Sequence, residues 1–479
     1  MNLVLVTMTI IVGAGISGLF ATTVLCKHGH QVTMLEQDNS EDRRHITQRF
    51  HVHTCMAYCA QWLDEYLPEF REIYFEAGGV AANWGKEILN VTDGYAGSSF
   101  DDPYMFSYFS TRNLLEKCIL KTLLSKYASQ ITFQPGCRVK DLIWKDNLVC
   151  GVKMNKKDLF DTLVIDCRGA NTTNFKNLPV YQIEECMDLG CHYSSAIFVG
   201  PELIMGKYKT YMSRRTGNDI FYFFPAEKDA YHIYKLEDHE FELKSDERLW
   251  VVSKGGIVKH SWNCQHYQEA SSIINSMRRI TQWTDGYNNK WWFRLRKHCP
   301  GFLELGDRNI RIVPTYGSGM TLSAKQASFL DICLSQNKLE QYAEISFREL
   351  KRSWTNYQGI LVDRPEAKYT GTLIKPPNRL DSWKRGSALK VMENNAAITQ
   401  IIMRNANLLE TGNTLTRFQQ YYILLYGIYF TCVNFFKSLF STKTIKCDWS
   451  GFEMPVHKLK TGMTYLRSPT EKKITMKKK

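Results

Sequence analysis

The chain has 479 residues, 44% of them hydrophobic and 23% charged, which is ordinary for a soluble globular protein. This length is too great for one small core, so we expect two or three lobes. The formal charge of +13 is unevenly placed, because residues 458–479 hold eight Lys or Arg against one Glu. A solvated tail ranks first as its explanation and contact with anionic lipid second. Since no nucleic-acid motif accompanies it, nucleic acid is not an expected partner.

The fourteen cysteines are scattered rather than arranged as a disulfide framework. The opening "MNLVLVTMTIIVGAG" lacks a basic n-region and runs into a glycine motif, which indicates a buried strand rather than a secretory signal. We therefore expect reduced thiols and a cytoplasmic location. Cys186 and Cys191 are spaced like a redox pair, but they lie far from the first nucleotide motif and are not favoured as a catalytic disulfide.

The first forty residues predict a strand, a glycine turn, a helix and a second strand, which is a βαβ unit. Gly13, Gly15 and Gly18 form G-x-G-x-x-G, and Ser17 lies within it. In this setting the glycines permit a tight turn, close approach of a pyrophosphate to the backbone, and packing of the helix on the sheet. Glu36 ends the second strand, where a carboxylate accepts hydrogen bonds from ribose hydroxyls and would repel a 2′-phosphate. The predicted dinucleotide is therefore FAD or NAD.

The next elements predict a helix over 112–127, a hairpin over 137–155 and a strand within 161–170. Residues 181–265 consist of short aromatic segments between turn residues, which is typical of an antiparallel sheet. No internal repeat at a fixed period is visible, so a solenoid or propeller is not expected.

The region after about residue 325 is predicted to be helical, interrupted by a long surface loop over 363–383. Nineteen residues without charge follow Arg417. This length is at the threshold for a membrane span, but two glutamines, an asparagine and Gly427 weaken that interpretation. A packed helix ranks first, an interfacial membrane helix second and a true span last.

Beyond the glycine fingerprint, four further segments resemble those of the FAD-dependent monooxygenases of the p-hydroxybenzoate hydroxylase type, and within them the polyprenyl-methoxyphenol hydroxylase-like oxidoreductases. The segments are "RHITQRFHVH", "STRNLLE", "VIDCRGAN" and "GDRNIRIVPTYGSGMT". By this resemblance the cofactor-binding positions are Arg44, Gln48, Arg112, Asp166, Gly169, Asp307, Pro314, Gly317, Gly319 and Met320. Asp307 would bind the ribityl chain, and the residues from Pro314 to Met320 would lie against the isoalloxazine.

The chemistry of a flavin agrees with the last of these segments. The ribityl chain needs a carboxylate acceptor, and the ring needs backbone N–H groups where negative charge develops on reduction. A strand ending in Asp307, followed by a proline and glycine turn into a helix, supplies both. Arg308 departs from the family pattern, which has a small residue there. Arg308 and Arg311 would pair with a phosphate, point to solvent or crowd the cofactor.

The resemblance implies an α/β fold: a discontinuous Rossmann-like FAD-binding domain, an antiparallel-sheet substrate domain and a C-terminal helical region. The expected boundaries are 1–178 for the first part of the FAD domain with a substrate-domain excursion near 79–104, 179–284 for the substrate domain, 285–345 for the second part of the FAD domain, 346–455 for the helical region and 456–479 for the basic tail.

The reaction implied is a monooxygenation in which NAD(P)H reduces FAD, O2 adds to give a flavin C4a-hydroperoxide, and one oxygen enters an apolar organic substrate by hydroxylation or epoxidation. A polycyclic, polyketide or isoprenoid substrate suits the aromatic sheet. The alternatives are an FAD-dependent reductase or dehydrogenase of an isoprenoid-like substrate, and a non-catalytic flavoprotein tethered to a membrane through 418–440 and the basic tail.

Other chemistries are less favoured. His51 and His53 have no third ligand at a sensible spacing, so we expect no metal and interpret both as structural or flavin-proximal. The tryptophans never form W-x-W, which disfavours a tryptophan halogenase of the same fold. Neither a catalytic residue nor an oligomeric state is predicted.

Overall fold

The computed structural model describes residues 8–39, 51, 53–92, 95–155, 157–170, 173–188, 192–214, 220–227, 243–256, 268–287, 290–312, 317–361, 368–370, 387–388, 391–392, 395–407 and 423–429. Its central sheet is parallel and has the order β21-β12-β1-β2-β8. These strands are Met8–Val12 (β1), Gln31–Leu35 (β2), Ile131–Gln134 (β8), Val164–Asp166 (β12) and Phe302–Glu304 (β21). The sheet therefore joins the first 170 residues to a strand that begins at residue 302, which makes this domain discontinuous in sequence.

The helices pack their apolar faces on the sheets. They are α1 (Ile16–Lys27), α2 (Ala57–Tyr66), α3 (Phe70–Glu76), α4 (Arg112–Lys126), α5 (Gln268–Asn275), α6 (Gly319–Ser335), α7 (Tyr342–Leu361) and α8 (Ala396–Ala406). The core under α1, α2, α4 and α6 includes fully buried Phe20, Leu63 and Ile119. The predicted βαβ unit and the predicted helix over 112–127 are confirmed.

Two smaller sheets accompany the parallel one. The order β11-β10-β9 contains the predicted hairpin, whose turn residues Asp146 and Asn147 have positive φ of 49° and 63°. Its strands are Val139–Lys145 (β9), Leu148–Met154 (β10) and Asp158–Phe160 (β11); the other sheet, β3-β7-β4, consists of His53–Cys55 (β3), Val80–Asn83 (β4) and Phe106–Ser110 (β7).

The largest sheet has the order β18-β14-β17-β16-β15-β5-β6, with β19 also paired to β14. Its strands are Ile88–Thr92 (β5), Tyr95–Ala96 (β6), His192–Pro201 (β14), Thr210–Arg214 (β15), Ile220–Ala226 (β16), Glu247–Gly256 (β17), Arg278–Arg279 (β18) and Thr284–Tyr287 (β19). Most of its pairs are antiparallel as predicted, but β15 and β5 pair in parallel. The strands β5 and β6 come from the expected excursion near 79–104. The domain boundaries themselves remain a prediction.

A further sheet, β22-β20-β13-β23, consists of Tyr181–Asp188 (β13), Lys290–Arg296 (β20), Ile310–Arg311 (β22) and Lys368–Thr370 (β23). The last strand lies inside 363–383, so the prediction of a surface loop was wrong at these three residues. Such a short edge strand has too few residues for an alternating pattern to reveal it.

The C-terminal part contains α7 and α8, and residues 423–429 are helical. Ile423 is buried and Tyr426 packs on the same core, whereas Leu425, Ile428 and Tyr429 are 63%, 46% and 61% exposed. In the part of the chain that the structure describes, no helix combines the length and the apolar character that crossing a bilayer requires. Cysteines of that part that are free thiols include Cys26, Cys55, Cys167 and Cys333.

Arg308 lies in a short 3₁₀ turn, Gly306–Arg308, and is 2% exposed. Its guanidinium lies 3.3 Å from the carboxylate of Asp166 and 3.4 Å from that of Glu304, and it donates to Asn174 Oδ1 at 2.5 Å. Arg308 therefore joins the ends of β12 and β21 from within the protein. This buried structural role is not among the three that the sequence suggested for Arg308.

We expect Arg308→Met to lower the free energy of unfolding by about 3 kcal/mol, because it leaves two buried carboxylates with fewer cationic partners. The measurement is urea unfolding followed by circular dichroism. Arg348→Met is the matched control: Arg348 pairs with Glu349 at 3.3 Å but is 67% exposed, so the change should stay within about 0.5 kcal/mol. Equal effects of the two substitutions would contradict a structural role for the buried pair.

Candidate functional site

The glycine turn after β1 has the tight geometry that the sequence predicted. Gly13 has φ +98°, and a Cβ there would lie 2.9 Å from the carbonyl oxygen of Cys167. A Cβ on Gly18 would lie 2.0 Å from the carbonyl oxygen of Gly13. Only glycine allows α1 to begin this close to the sheet. Gly15 precedes the first residue of α1, so the N–H groups of the first turn face the loop.

Glu36 directly follows β2 and is 7% exposed. Its Oε2 accepts a hydrogen bond from the backbone N–H of Ala14 at 2.9 Å, and its Oε1 accepts one from Asp38 at 3.3 Å. The carboxylate is thereby fixed beside the glycine turn. Its contact with a ribose remains a prediction.

Arg112 is the first residue of α4, whose N-cap is Thr111. The Thr111 side chain accepts from the N–H of Leu114 at 3.3 Å and donates to Glu227, at the end of β16. This contact ties α4 to the largest sheet. Arg112 therefore begins a helix whose N-cap residue is anchored to that sheet.

The Arg112 side chain donates to Glu116 Oε1 at 2.9 Å, and the same oxygen accepts from the N–H of Ile16 at 3.2 Å. Burial acts to lower the pKa of Arg112, but the carboxylates of Glu116, Asp307 and Glu36 outweigh it and raise that pKa. Arg112 thus lies between the glycine turn and the segment that begins at Gly306.

That segment lies directly against α1. Gly306 has φ +77°, and a Cβ there would lie 2.1 Å from Ser17 Oγ, which is itself hydrogen-bonded to Ser323 Oγ at 2.9 Å. Burial raises the pKa of Asp307, and the charges of Arg311 and Arg112 oppose this rise. Residues about 290 positions apart therefore border one half-buried surface, formed by Gly13, Ser17, Arg112, Asp307 and Gly319, which we call the trough.

The end of the trough is formed by the start of α6. Gly317 has φ +65°, and its Cβ would lie 2.5 Å from Thr54 Cγ2. Gly319 is the first residue of α6, and a Cβ there would meet no atom within 4 Å. The first N–H groups of this helix have no acceptor within the helix, and half-buried Met320 lies beside them.

Two histidines lie between the trough and the largest sheet. His53 Nδ1 lies 2.7 Å from the carbonyl oxygen of His51, which can only accept, so Nδ1 donates. Burial, together with the charges of Arg112 and His51, lowers the pKa of His53 to about 3, so the ring is neutral near pH 7. His51 Nδ1 is hydrogen-bonded to Ser195 Oγ at 2.8 Å, and its ring meets Tyr193 edge-on at 4.4 Å between centroids.

Asp166 and Gly169 lie at the end of β12. Asp166 is fully buried, and Arg168 donates to its two oxygens at 2.9 Å each, so its carboxylate is engaged within the protein. Gly169 has φ +81° with no atom within 4 Å of a Cβ. Contact of either residue with a cofactor remains a prediction. Arg44, Gln48 and Pro314 lie outside the described residues.

Two residues of this region, Tyr193 and Ser195, were not predicted from the sequence. Period-two alternation along β14 places Tyr193 and Ser195 on one face of the sheet, but only the pairing of the strands shows which face meets the histidines.

The donors and acceptors of the trough fit a flavin dinucleotide. The first turn of α1 has N–H groups that suit phosphates, and Glu36 and Asp307 have oxygens that suit hydroxyls. At Gly319, no atom lies within 4 Å of a Cβ beside the first N–H groups of α6. No group of three or more His, Cys, Asp or Glu suited to a metal ion occurs among the described residues.

Comparison with known proteins agrees with this geometry. A family model described as an NAD(P)-binding Rossmann-like domain matches residues 11–65. The FixC proteins of Salmonella typhi and Escherichia coli K12 are 27% and 28% identical over 164 residues. That match covers 34% of this chain and 36% of each relative, so the chain spans about a third of their length.

Solved structures match over most of the chain at low identity. The myxobacterial chondrochloren halogenase CndH, an FAD-dependent halogenase, has a TM-score of 0.57 at 14% identity, covering 88% of this chain and 97% of its own. The flavin-dependent brominase Bmp2 has a TM-score of 0.59 at 13% identity, and the match covers 89% of this chain and 99% of the brominase. A flavoprotein/dehydrogenase of Cytophaga hutchinsonii has a TM-score of 0.55 at 12% identity, and the match covers 84% of this chain and 92% of its own. The chain therefore has the mixed α/β fold of these flavin-dependent proteins, with a Rossmann-like dinucleotide domain at its start.

Proposed function

We propose that the trough binds FAD and that the protein is an FAD-dependent monooxygenase. The observation that carries the proposal is the contact between Gly306 and Ser17, because it unites the glycine turn with Asp307 and the start of α6. A nicotinamide dinucleotide alone would need only the first half of such a site, the glycine turn and Glu36. A flavin needs the second half as well.

Each part of the trough has a role toward the cofactor under this proposal. The turn from Gly13 to Gly18 would hold the pyrophosphate and Glu36 the ribose. Asp307 and Arg112 would hold the ribityl chain and its neighbouring phosphate. The backbone from Gly317 to Met320 would face the isoalloxazine. When bound, FAD would supply the two-electron chemistry and the activation of O2.

The net reaction would consume NAD(P)H, a proton, O2 and a substrate C–H or C=C, and would give NAD(P)+, water and the hydroxylated or epoxidised product. The protein's own task is to exclude water and to hold the substrate. The face of the largest sheet that carries Tyr193 and Ser195 continues across the strands to buried Tyr222 and Met212. This aromatic face is the proposed roof of the substrate pocket.

Two other functions use the same trough. An FAD-dependent reductase or dehydrogenase would transfer hydrogen without inserting oxygen, and the fold likeness to a flavoprotein/dehydrogenase favours keeping it. A flavoprotein without turnover would bind FAD alone. We do not propose halogenation, although halogenases share the fold, because fold does not imply function and the W-x-W segment is absent.

We expect the purified protein to bind FAD and to oxidise NAD(P)H faster when a substrate is present, with 18O from labelled O2 in the product. Mass spectrometry of the product and the flavin absorbance are the measurements. Full product under strict anaerobiosis would favour the reductase instead. Protein that stays colourless with added FAD would contradict every flavin proposal.

Gly319→Ala tests the second half of the trough. The helical backbone accepts alanine and no atom lies within 4 Å, so stability should change by less than about 1 kcal/mol. The methyl group would intrude on the cofactor and weaken FAD binding about tenfold. Fluorescence titration with FAD and thermal unfolding are the two measurements.

Gly29→Ala is the reciprocal control for that test. Gly29 also has open space around a Cβ, but its φ of +80° makes alanine strained, and it follows the far end of α1. We expect lower stability, by about 1 kcal/mol, with unchanged FAD affinity. Unchanged FAD affinity in Gly319→Ala would place the flavin elsewhere.

We also propose peripheral contact with anionic membranes, since Leu425, Ile428 and Tyr429 are exposed on one helical segment and the basic tail follows in sequence. A cytoplasmic location is part of this proposal.

Flotation with phosphatidylserine-containing liposomes should be strong at low salt and weaken with added salt or removal of 458–479. Leu425→Glu with Ile428→Glu should reduce flotation severalfold. Val180→Glu should not, although Val180 is 84% exposed. If flotation does not change with salt, with truncation or with the two substitutions, the tail is only a solvated end.

A further inference from the structure

The starts of two helices meet at the end of the trough where the isoalloxazine is proposed to lie. The N-cap of α2 is Met56, and the N-cap of α6 is Ser318. Both residues are buried, and the Ser318 hydroxyl donates to the sulfur of Met56 at 3.4 Å. A Cβ on neighbouring Gly317 would lie 3.9 Å from the same sulfur. The position of Met56 therefore bears directly on the turn that begins α6.

The N-cap residue of α2 is poorly suited to its place. The start of a helix leaves backbone N–H groups without acceptors in the helix, and Asn, Asp, Ser or Thr side chains commonly accept from them. The thioether of Met56 is only a weak acceptor. Asn407, 350 positions further along the chain, supplies a stronger one. Its Oδ1 accepts from the backbone N–H of Ala57, the first residue of α2, at 3.0 Å, and both residues are fully buried.

Asn407 is held in place by α8, of which it is the C-cap. Its Nδ2 donates to the carbonyl oxygen of Met403 at 3.0 Å. Because a carbonyl oxygen only accepts and a backbone N–H only donates, the two contacts fix which end of the amide faces α2. The helix itself is anchored by buried Asp102, whose Oδ2 accepts from Arg404 at 2.7 Å and from Gln400 at 3.0 Å.

The inner side of α8 packs on the aromatic face of the largest sheet. Ile398 and Met403 belong to the same buried cluster as Met212 and Tyr222, and Met56 belongs to it as well. One helix thus contacts both the proposed roof of the substrate pocket and the residues that begin α2.

We propose that Asn407 is a positioning residue for the flavin-ring end of the trough. Asn407 caps α2, the start of α2 places Met56, and Met56 holds the turn from Gly317 to Ser318 in the position that the cofactor needs. The inference rests on the proposed function for the identity of the cofactor. It adds to the flavin site a residue of the C-terminal region that acts through Ala57 and Met56 rather than by touching the ring.

The test compares two asparagines of α8 that make the same kind of hydrogen bond. Asn395, the N-cap of α8, accepts from the N–H of Ile398 at 3.0 Å, so Asn395→Ala removes a cap of the same length at the far end of the helix. We expect both Asn395→Ala and Asn407→Ala to lower the melting temperature. Only Asn407→Ala should shift the visible absorbance bands of bound FAD and weaken FAD binding severalfold, as measured by difference spectra and fluorescence titration.

Asn407→Asp separates the two hydrogen bonds of Asn407. The carboxylate keeps an acceptor for the N–H of Ala57, where the start of a helix favours negative charge, but it loses the donor to Met403. We expect lower stability with the wild-type flavin spectrum.

Met56→Leu tests the last step of the path. The change conserves volume and should cost little stability, but it removes the sulfur that accepts from Ser318. We expect it to shift the flavin bands in the same direction as Asn407→Ala does. If Asn407→Ala does not fold, Met56→Leu and Asn407→Asp carry the test.

A wild-type flavin spectrum in Asn407→Ala or in Met56→Leu would overturn the proposal, because the helix starts would then have no effect on the ring. An equal spectral shift in Asn395→Ala would also overturn it, because the effect would then follow from a general loss of stability.

Hydrogen exchange on FAD-free protein separates this inference from the proposed function. Asn407→Ala should speed the exchange of backbone amides at the starts of both α2 and α6, and Asn395→Ala should not. A wild-type protein that binds no FAD, together with this exchange pattern, would support the positioning of the two helix starts and overturn the flavin proposal. Unchanged exchange at the start of α6 would overturn the positioning role even where FAD binds.

Discussion

The ion pairs of Arg308 with Asp166 and Glu304 are the interaction on which the trough depends. They hold the ends of two neighbouring parallel strands to the 3₁₀ turn that follows them. Successive side chains in a 3₁₀ turn point in directions about 120° apart. With Arg308 directed into the protein, Asp307 is left on the outer side, toward Arg112 and Arg311. A buried structural contact thus sets the direction of a residue that borders the trough.

The carboxylates around the trough are held by hydrogen bonds to the backbone and to Arg112. Glu36 accepts two backbone hydrogen bonds, and Glu116 shares one oxygen between Arg112 and the start of α1. These contacts fix carboxylates beside a helix N-terminus, where the helix dipole favours negative charge. The same surface must also accept a diphosphate under the proposed function. Arg112 borders the same surface, among three carboxylates that raise its pKa.

The βαβ unit, Glu36 and α4 could be predicted from the sequence because they depend on local signals: glycine spacing, a β-branched run and helical periodicity. The partners of Arg308 could not, because Asp166 lies about 140 residues away and joins it only through strand order. The same limit applies to Tyr193, since alternation gives two faces but no choice between them. The family pattern drew attention to Arg308 as an anomaly, and the structure shows that a buried carboxylate on each neighbouring strand accommodates it.

The fold alone does not decide the chemistry, because halogenases and a dehydrogenase share it with this chain. What can distinguish such proteins is the set of residues beside the trough. Here the face of the largest sheet that meets the two histidines carries Tyr193 and Ser195 and continues across the strands to buried Tyr222 and Met212. Under the proposed function, the residues of this face, rather than the fold, would select the substrate.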